Sequence, residues 1–467
     1  MKLLSAILEI GEKLVLRPVG AVMRLPARVL AFFGSGAPIR EHGVAPREVL
    51  VLGGYGYGNV GDEAQLGANL DRWRAISPPV EAVVLSPHPD YTADHHACRS
   101  QPASRAVIFW SNDTSDYNTS SHWFRFTFWL VLIRMELNAR LMAAGLAPVF
   151  ATAAEARLLT GLQMASAVHV SGGGFMTGPT RSRLWDTCLI LRLCRRMGTP
   201  YFLTGQTIGI FQNPADRWLA RTALRGAVGI SLRDPGGSAD ELVSAGIPRQ
   251  LVTNGVDDAL FCRAAPRERI AQALTASGIA PVESYVAVNY HWWGMDAATR
   301  NQSAERLADI LDRIGATHGL HVLLVPMVPS DEEALRAVAA RMDNPAAILS
   351  YDYSYQTVRG VIAQARALIS FKHHPLIFAM GEAVPCLSVS FDPYYHRKNK
   401  GAMANLGQER FCIDREGFFG PGLEACFTTL VTEDEAIRDR LRPALNEARA
   451  RQDAVFADCV RATGLGG

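Results

Sequence analysis

The sequence predicts an α/β protein in which two domains, each built on a parallel sheet, face one another across a cleft. Three observations predict this fold. Short apolar runs typical of strands alternate with longer helical patterns, the alternation occurs in two series, and glycine-rich or charged stretches follow several strands. Strands that alternate with helices favour a parallel sheet covered on both faces. Such sheets bind ligands beyond the carboxyl ends of their strands, which is where these polar stretches lie.

The first series begins near residue 46 and defines the predicted N-terminal domain, residues 46–265. Its predicted strands are Val49–Leu52, Ala82–Leu85, Ala106–Trp110, Ala167–Ser171, Tyr201–Gly205 and Gly229–Leu232. Its predicted helices are Glu63–Ile76, Trp123–Ala144, Arg183–Met197, Asp216–Arg225 and Ala239–Ala245.

The second series begins near Tyr285 and defines the predicted C-terminal domain, residues 266–467. The segment Asn254–Ala280 is predicted to connect the two domains. Its predicted strands are Tyr285–Asn289, Val322–Val325, Ala347–Leu349, Ala367–Ser370 and Cys386–Ser390. Its predicted helices are Ala297–His318, Asp331–Arg341, Tyr355–Ala365 and Pro375–Met380. The charged pattern of Glu433–Val460 predicts a last helix that packs back across the N-terminal domain.

The composition is that of an ordinary globular protein and sets limits on its partners. The chain has 467 residues, enough for two or three domains, and a formal net charge of +2. This balance gives no reason to expect a nucleic-acid partner. The 8 cysteines are scattered and no pair has CxxC spacing. We therefore expect reduced thiols, a cytoplasmic location and no zinc or other metal site.

Residues 1–45 form a predicted amphipathic helical segment that is apolar but repeatedly interrupted by charge. The interruptions argue against a signal peptide and a spanning helix, and they are Glu9, Glu12, Lys13, Arg17 and Arg24. Two interpretations stay open: a helix lying on the inner face of the membrane, or a helix packed on the body of the protein. The aromatic stretch Trp123–Ile133 leaves a similar choice between a buried helix and a groove for a lipid-linked substrate.

The stretch GGYGYGNVGDEAQ, residues 53–65, follows the first predicted strand and begins the first helix. Backbone N–H groups at a helix start bind anions, and glycines let a phosphate or carboxylate approach closely. No GK[ST] follows, so the stretch is not a Walker loop, and its glycine spacing differs from the dinucleotide fingerprint. An acid here can simply cap the helix. Two acids plus an asparagine favour a functional role, and the candidates are Gly58, Asn59, Gly61, Asp62 and Glu63.

A second glycine-rich stretch, SGGGF at residues 171–175, follows a later strand and contributes Gly173 and Gly174 as candidates. Arg181 and Arg183 come soon afterwards. An arginine fork matches a carboxylate or a phosphate, whereas an arginine on a surface loop is more often solvated. The nearness of both arginines to the glycines favours an anion site.

Two further strand ends carry polar candidates, Gln206 in GQTIG and Arg233 in SLRD. Arg233 can alternatively pair with its neighbour Asp234. The acids of Asn254–Asp258 lie at the domain junction, where they are either structural or exposed to the cleft.

The stretch Lys372-His373-His374 stands between a strand and an apolar helix. A lysine and two histidines at a helix start suit both anion binding and proton transfer. The two histidines point in different directions, so we expect only one to reach a ligand. The basic, aromatic loop 390–401 follows the next strand, and its Lys398 and Lys400 are candidates for a second anionic or sugar group.

Taken in order, GNVGDEA, SGGGF, GQTIG, SLRD and KHHPLIFAMGEAVPCLSVSFD resemble the polysaccharide pyruvyl transferase family from about Val49 to Gly407. The resemblance implies two Rossmann-like domains facing a cleft, similar to B-type glycosyltransferases. It also implies transfer of a pyruvyl group from phosphoenolpyruvate to sugar hydroxyls of a surface or exopolysaccharide precursor. The product is a pyruvate ketal, phosphate is released, and no cofactor or metal is implied.

The same resemblance assigns roles to particular residues. Asp62 matches the family's acid in the first glycine-rich loop, and His374 matches the histidine of its Arg-x-His motif. The arginine of that motif is Lys372 here, which keeps the charge but loses the fork. Arg181 or Arg183 matches a family arginine. Lys398 and Lys400 fall where the family commonly has a lysine.

These matches predict Asp62, His374 and Arg181 as catalytic residues. The predicted partners are phosphoenolpyruvate and a saccharide acceptor, with lipid linkage, peripheral membrane contact and homo-oligomer formation left open. Two other functions also stay open. One is a glycosyltransferase that uses a nucleotide-sugar, and the other is a non-catalytic glycan-binding relative.

Overall fold

The computed structural model describes residues 47–108, 122–280 and 283–466. The predicted amphipathic segment 1–45 lies outside these residues, so its two interpretations remain predictions. Within the described ranges, no helix combines the length and the apolar character needed to cross a bilayer.

The N-terminal domain is built on an eight-stranded parallel sheet. Its strands are β1 Glu48–Leu52, β2 Glu81–Ser86, β3 Arg99–Pro102, β4 Ala167–Val170, β5 Gly173–Thr177, β6 Tyr201–Gly209, β7 Ile230–Leu232 and β8 Val252–Asn254. The order is β3-β2-β1-β4-β6-β7-β8, and β5 pairs with β6 off this path. Its helices are α1 Val60–Arg74, α2 Pro89–His96, α3 Ser104–Ile108, α4 His122–Ala143, α5 Ala153–Met164, α6 Arg181–Met197, α7 Pro214–Leu224 and α8 Pro235–Ser244.

The C-terminal domain is built on a six-stranded parallel sheet of order β11-β10-β9-β12-β13-β14. Its strands are β9 Tyr285–Asn289, β10 His321–Leu324, β11 Ala347–Ile348, β12 Ala367–Ser370, β13 Cys386–Ser390 and β14 Cys412–Asp414. The helices of this half are α9 Arg267–Ala276, α10 Ala297–His318, α11 Asp331–Ala339, α12 Tyr355–Gln364, α13 His373–Gly381, α14 Pro393–Ala404, α15 Arg415–Phe419, α16 Gly422–Thr432 and α17 Asp434–Ala462. The central strands are buried along their whole length, as continuous apolar runs in a doubly covered parallel sheet should be.

Two local predictions are wrong. The segment predicted as the strand Ala106–Trp110 forms helix α3 as far as Ile108, and its last two residues lie outside the described ranges. The edge strand is instead β3, whose polar sequence RSQP gave no apolar run because the edge of a sheet is partly solvated. The predicted loop 390–401 is largely helix α14, which Asp392 caps by accepting hydrogen bonds from two backbone N–H groups.

Helix α4 covers the aromatic stretch that left two interpretations open. One face packs in the N-terminal core through side chains such as Phe128 and Met135. The opposite face stays exposed, with Phe126, Leu130 and Ile133 at 54%, 49% and 65% of their full accessibility. None of its described side chains lines the cleft between the domains.

Helix α1 is wedged between the domains because it has two apolar faces. Its residues Val60, Ala64 and Ala68 recur every four positions and pack into the C-terminal core. Leu70 and Trp73 pack on the N-terminal sheet instead. The helix that begins with the first glycine-rich stretch therefore belongs to the interior of both halves.

The domains are joined at Asp258, a fully buried residue just after β8. Its carboxylate accepts hydrogen bonds from four residues of the N-terminal domain and from one residue of the last helix, α17. The donors are Asn69 Nδ2 at 2.9 Å, Gly172 N at 2.9 Å, Thr204 Oγ1 at 2.6 Å, Gln452 Nε2 at 2.7 Å and Arg72 Nη1 at 3.4 Å. Gln452 belongs to α17, which returns to the N-terminal domain and packs Phe456 against Trp73 with ring centres 5.0 Å apart.

Gln452→Ala should lower the free energy of unfolding by about 1–3 kcal/mol, because it removes the shorter hydrogen bond to the buried Oδ1 of Asp258 and leaves only the 3.4 Å contact from Arg72 Nη1. Urea denaturation followed by tryptophan fluorescence measures the change. Asn446→Ala, at an exposed position of the same helix, is the matched control and should shift the free energy by no more than about 0.5 kcal/mol. Equal midpoints and slopes for both variants would contradict the role given to Gln452.

Candidate functional site

The cleft between the domains forms where the strand order of each sheet reverses direction. In the N-terminal sheet this point lies between β1 and β4, and in the C-terminal sheet between β9 and β12. Open α/β sheets bind ligands at such points. The segments after these four strands all line one cavity of about 630 Å³. The switch points of the two sheets therefore face one another across a single cleft.

Glu63 folds the glycine-rich loop after β1 over the start of α1. Its Oε1 accepts hydrogen bonds from the backbone N–H of Gly56 at 2.8 Å and of Gly58 at 3.3 Å. Its Oε2 lies 2.9 Å from His96 Nε2, and the residue is only 1% exposed. These contacts correct the prediction that Glu63 binds substrate: it shapes the loop instead. The N–H of Gly58 is likewise turned inward.

The loop after β1 and the Lys-His-His corner are in direct contact. A Cβ placed on Gly61 would lie 1.9 Å from His374 Nδ1, so only a glycine lets the imidazole rest against α1. Asn59 caps α1 by accepting a hydrogen bond from Gly61 N at 3.1 Å, and its side chain lines the cleft. Nearby, Val60 N lies 3.5 Å from the carbonyl oxygen of Met327 in the other domain.

The second glycine-rich stretch is approached by three polar side chains. A Cβ on Gly174 would lie 2.6 Å from Tyr394 Oη, 3.1 Å from Arg233 Nη2 and 3.5 Å from Lys398 Nζ. Tyr394 Oη also donates a hydrogen bond to Gly174 O at 3.0 Å, which links α14 to β5 across the domain boundary. Gly173, the other predicted residue, pairs in register with β6 rather than lining the cavity.

Two cations in the cleft lack a hydrogen-bonding partner within the part of the chain that the structure describes. Lys398 is 8% exposed, and its Nζ lies 5.5 Å from the ring centre of Tyr395. Arg183 lies over the ring of Tyr57 at 5.1 Å. Lys372 also lines the cleft, but its Nζ makes an ion pair with Asp331 at 2.6 Å. The charge of Lys372 is therefore largely compensated, whereas Lys398 and Arg183 are available to a ligand.

Arg233 is fully buried and points one nitrogen toward Gly174, a residue that lines the cleft. Its Nη1 pairs with Asp257 and its Nε donates to Thr207 Oγ1 at 2.9 Å, while Nη2 has no partner among the described residues. His373 bridges Asp257 at 3.2 Å and Asn399 at 2.9 Å through its two ring nitrogens. His373 also lines the cleft, but both of its ring nitrogens are used inside the protein, so its role as a substrate ligand stays a prediction.

Three groups around the cleft have pKa values that favour proton exchange or anion binding. Burial raises the pKa of Asp62 to about 6, although Arg183 and Lys398 act in the opposite direction. Burial, together with the nearby Arg233, lowers the pKa of Lys398 to about 7. Burial also lowers the pKa of His374 well below its ordinary value, and its Nε2 has no partner in the described part of the chain. Perturbed groups that meet in a cleft are typical of a functional site.

Three other predicted site residues do not reach the cleft. Arg181 donates hydrogen bonds to Asp216 at 3.2 Å and to Gln212 at 2.7 Å, on the far side of α6. Gln206 is fully buried, and its Nε2 donates to backbone carbonyls at 2.7–3.3 Å. Lys400 is exposed on α14. Structure therefore corrects all three placements, and of the two candidate arginines it is Arg183 that lines the cavity.

The segment after β9, residues 290–296, carries site residues that the sequence patterns did not indicate. His291 and Trp293 line the cleft, and burial with the charge of Lys372 lowers the pKa of His291 to about 4. This segment has neither several glycines nor a run of charge. The one feature of the sequence that indicates a site here is its position directly after the predicted strand Tyr285–Asn289, because ligands bind beyond the carboxyl ends of such strands.

The fold is similar to that of several solved structures. S. aureus MnaA, solved with UDP, has a TM-score of 0.55 and 10% identity, over 90% of this chain and 97% of that one. Anabaena HepE in complex with UDP has a TM-score of 0.52 and 13% identity, over 89% and 98%. The glycotransferase of kitacinnamycin has a TM-score of 0.50 and 13% identity, over 90% and 98%. These similarities concern the fold alone and confirm the predicted architecture of B-type glycosyltransferases.

A search of curated proteins found no significant match. A model of the family described as polysaccharide pyruvyl transferase matches residues 59–393, which is most of the chain and includes both sides of the cleft. This match confirms the resemblance noted in the sequence. The protein is a transferase, and the chain belongs to the polysaccharide pyruvyl transferase family.

Proposed function

We propose that the protein transfers a pyruvyl group from phosphoenolpyruvate to hydroxyls of a saccharide in a surface-polysaccharide or exopolysaccharide precursor. The product is a pyruvate ketal, and phosphate is released. The observation that carries this proposal is the group of cationic nitrogens without a hydrogen-bonding partner among the described residues, on Arg183, Lys398 and Nη2 of Arg233, which lie beside Asp62 and His374.

The donor suits these nitrogens because it is small and carries both a carboxylate and a phosphate. Arg233 Nη2 and Lys398 Nζ approach the same backbone position at Gly174. Two positive groups so close together repel each other until an anion lies between them. Arg183 supplies a guanidinium fork from the N-terminal side. The cleft thus offers cationic groups from both domains to a small anion.

The chemistry balances without any redox partner. The methylene carbon of phosphoenolpyruvate takes up a proton and becomes the methyl group of the ketal. The neighbouring carbon forms two bonds to the two sugar oxygens, and its bond to the phosphate oxygen breaks. The two sugar hydroxyls lose two protons. In the net balance, one of them is the proton gained by the methyl group, and the other is carried away by the phosphate.

Asp62 and His374 are suited to move these protons. With a pKa of about 6, Asp62 is mostly ionised at neutral pH and accepts the hydroxyl proton. His374 is neutral in the free protein because burial lowers its pKa. A bound phosphate dianion raises the pKa of a nearby imidazole. In the complex, His374 therefore protonates the methylene carbon or stabilises the departing phosphate.

We place the reaction in the cytoplasm at the inner face of the membrane. All 8 cysteines are free thiols, which suits a reducing compartment. The apolar and basic sequence of residues 1–45 is the candidate membrane contact. A lipid-linked acceptor would be reached most easily from this position.

Lys398→Gln should weaken phosphoenolpyruvate binding by about tenfold or more, because it removes a charged partner of the donor. Isothermal titration calorimetry with phosphoenolpyruvate measures the change. Lys400→Gln is the matched control, since Lys400 lies on the same helix but is exposed, and it should bind as the parent does. Binding of UDP-glucose by a parent protein that ignores phosphoenolpyruvate would instead support a nucleotide-sugar donor.

Asp62→Asn should lower the rate of phosphate release by about 10²–10⁴-fold, because it removes the general base. In the parent, the base acts when ionised, so kcat/KM should fall as the pH drops through about 6. The variant should lose this acidic limb. Asp94→Asn, at an exposed position of α2, should keep both rate and profile. If kcat/KM of Asp62→Asn still fell with decreasing pH as in the parent, a group other than Asp62 would be the general base.

His374→Ala should also reduce phosphate release by about 10²–10⁴-fold while leaving the thermal unfolding temperature close to that of the parent. The fold should survive because His374 makes no hydrogen bond through its buried Nε2. His321→Ala, at an exposed position, is the control. Turnover of His374→Ala at the parent's rate would exclude a catalytic role.

A further inference from the structure

The cleft continues into a groove along the C-terminal domain. A cavity of about 300 Å³ adjoins the cleft and shares Trp293 and Tyr395 with it. A third cavity, of about 700 Å³, shares Phe391 and Arg415 with the second. We call this continuous surface, from Trp293 through Tyr395 and Phe391 to Phe419, the aromatic groove.

The aromatic groove follows the carboxyl ends of three parallel strands. Trp293 lies on the segment after β9, Phe391 directly follows β13, and Arg415 directly follows β14. Carboxyl ends of parallel strands meet at one edge of a sheet, where ligands bind. The groove is thus an extension of the ligand-binding edge, and the cleft is its inner end.

Trp293 is presented to solvent at the mouth of the cleft. It is 64% exposed, although its indole is one of the largest apolar side chains in the protein. Its ring meets Tyr395 in a T-shaped contact with centres 5.5 Å apart, and its backbone N–H donates to His291 Nδ1 at 3.0 Å. Both contacts hold the residue in place. An ordered, exposed aromatic ring beside a ligand cleft is typical of a binding platform.

Charged groups alternate with the rings of the groove. The guanidinium of Arg415 lies 5.7 Å from the ring centre of Phe391 and 5.5 Å from that of Phe419. Carboxylates line the same cavities, and they are Asp296, Asp392, Asp414 and Glu416. A sugar ring has an apolar C–H face for stacking and a rim of hydroxyls for such charged partners. The carboxylates repel polyanions, and the charges disfavour a lipid chain.

We propose that the aromatic groove binds further sugar units of the acceptor, beyond the unit that is modified in the cleft. The identity of the ligand as the acceptor rests on the proposed function, whereas binding of a glycan in the groove does not. The sugar to be modified lies in the cleft near Asp62, and the rest of the chain passes Trp293 toward Phe419.

A glycan-binding assay without donor tests this proposal. The probe is a panel of bacterial surface-polysaccharide fragments that range from single sugars to complete repeating units, with affinities measured by biolayer interferometry. The parent should bind at least one complete repeating unit about tenfold or more tightly than its component sugars, because each stacked ring adds affinity. Trp293→Ala should remove this dependence on length, and Trp293→Tyr should restore most of it.

Trp218→Ala, which removes an exposed tryptophan outside all three cavities, should leave the dependence on length intact. Equal affinity for short and long fragments in the parent would overturn the proposal, as would unchanged binding by Trp293→Ala. Phosphate release and donor binding are measured in parallel. Length-dependent binding without turnover of phosphoenolpyruvate would reject the proposed reaction alone, and turnover without length dependence would reject the groove alone.

Discussion

The cleft depends on two adjacent buried carboxylates, Asp257 and Asp258, at the point where the chain passes from one sheet to the other. Asp258 accepts hydrogen bonds from the N-terminal domain and from the returning helix α17. Asp257 accepts them from Gln65 of α1 and pairs with Arg233 and His373. One position of the chain thus sets the relative placement of the two sheets and anchors a cation of the site.

The charge of the cleft follows from this anchoring. Burial by itself raises the pKa of Asp257, but Arg233 and the neighbouring histidines hold it well below its ordinary value. The ionised carboxylate compensates one side of the Arg233 guanidinium and leaves Nη2 free toward Gly174. Lys398 has no such partner among the described residues. Burial and the nearby Arg233 limit this surplus of positive charge by lowering the pKa of Lys398 to about 7, and an anionic ligand would favour the charged lysine again.

The sequence contained enough to predict the sheets and the region of the site, but not the choice between neighbouring residues. Central strands are continuous apolar runs, and the glycine-rich stretches after them were conspicuous. Arg181 and Arg183 both lie in the first turn of α6, and residues two positions apart on a helix face nearly opposite directions. The same holds for Lys398 and Lys400 on α14, which was predicted as a loop. Only the phase of each helix decides which cation reaches the cleft.

Neither domain contains a complete site, and this explains why its geometry depends on residues far from the ligand. The N-terminal half supplies Asp62 and Arg183, and the C-terminal half supplies His374 and Lys398. The halves meet where His374 rests on Gly61 and where Tyr394 donates to Gly174. A rotation of one sheet against the other would separate both pairs at once, because the two partners of each pair belong to different domains. The buried hydrogen bonds of Asp257, which has partners in both domains, oppose that rotation. The joint between the sheets is therefore part of the catalytic architecture.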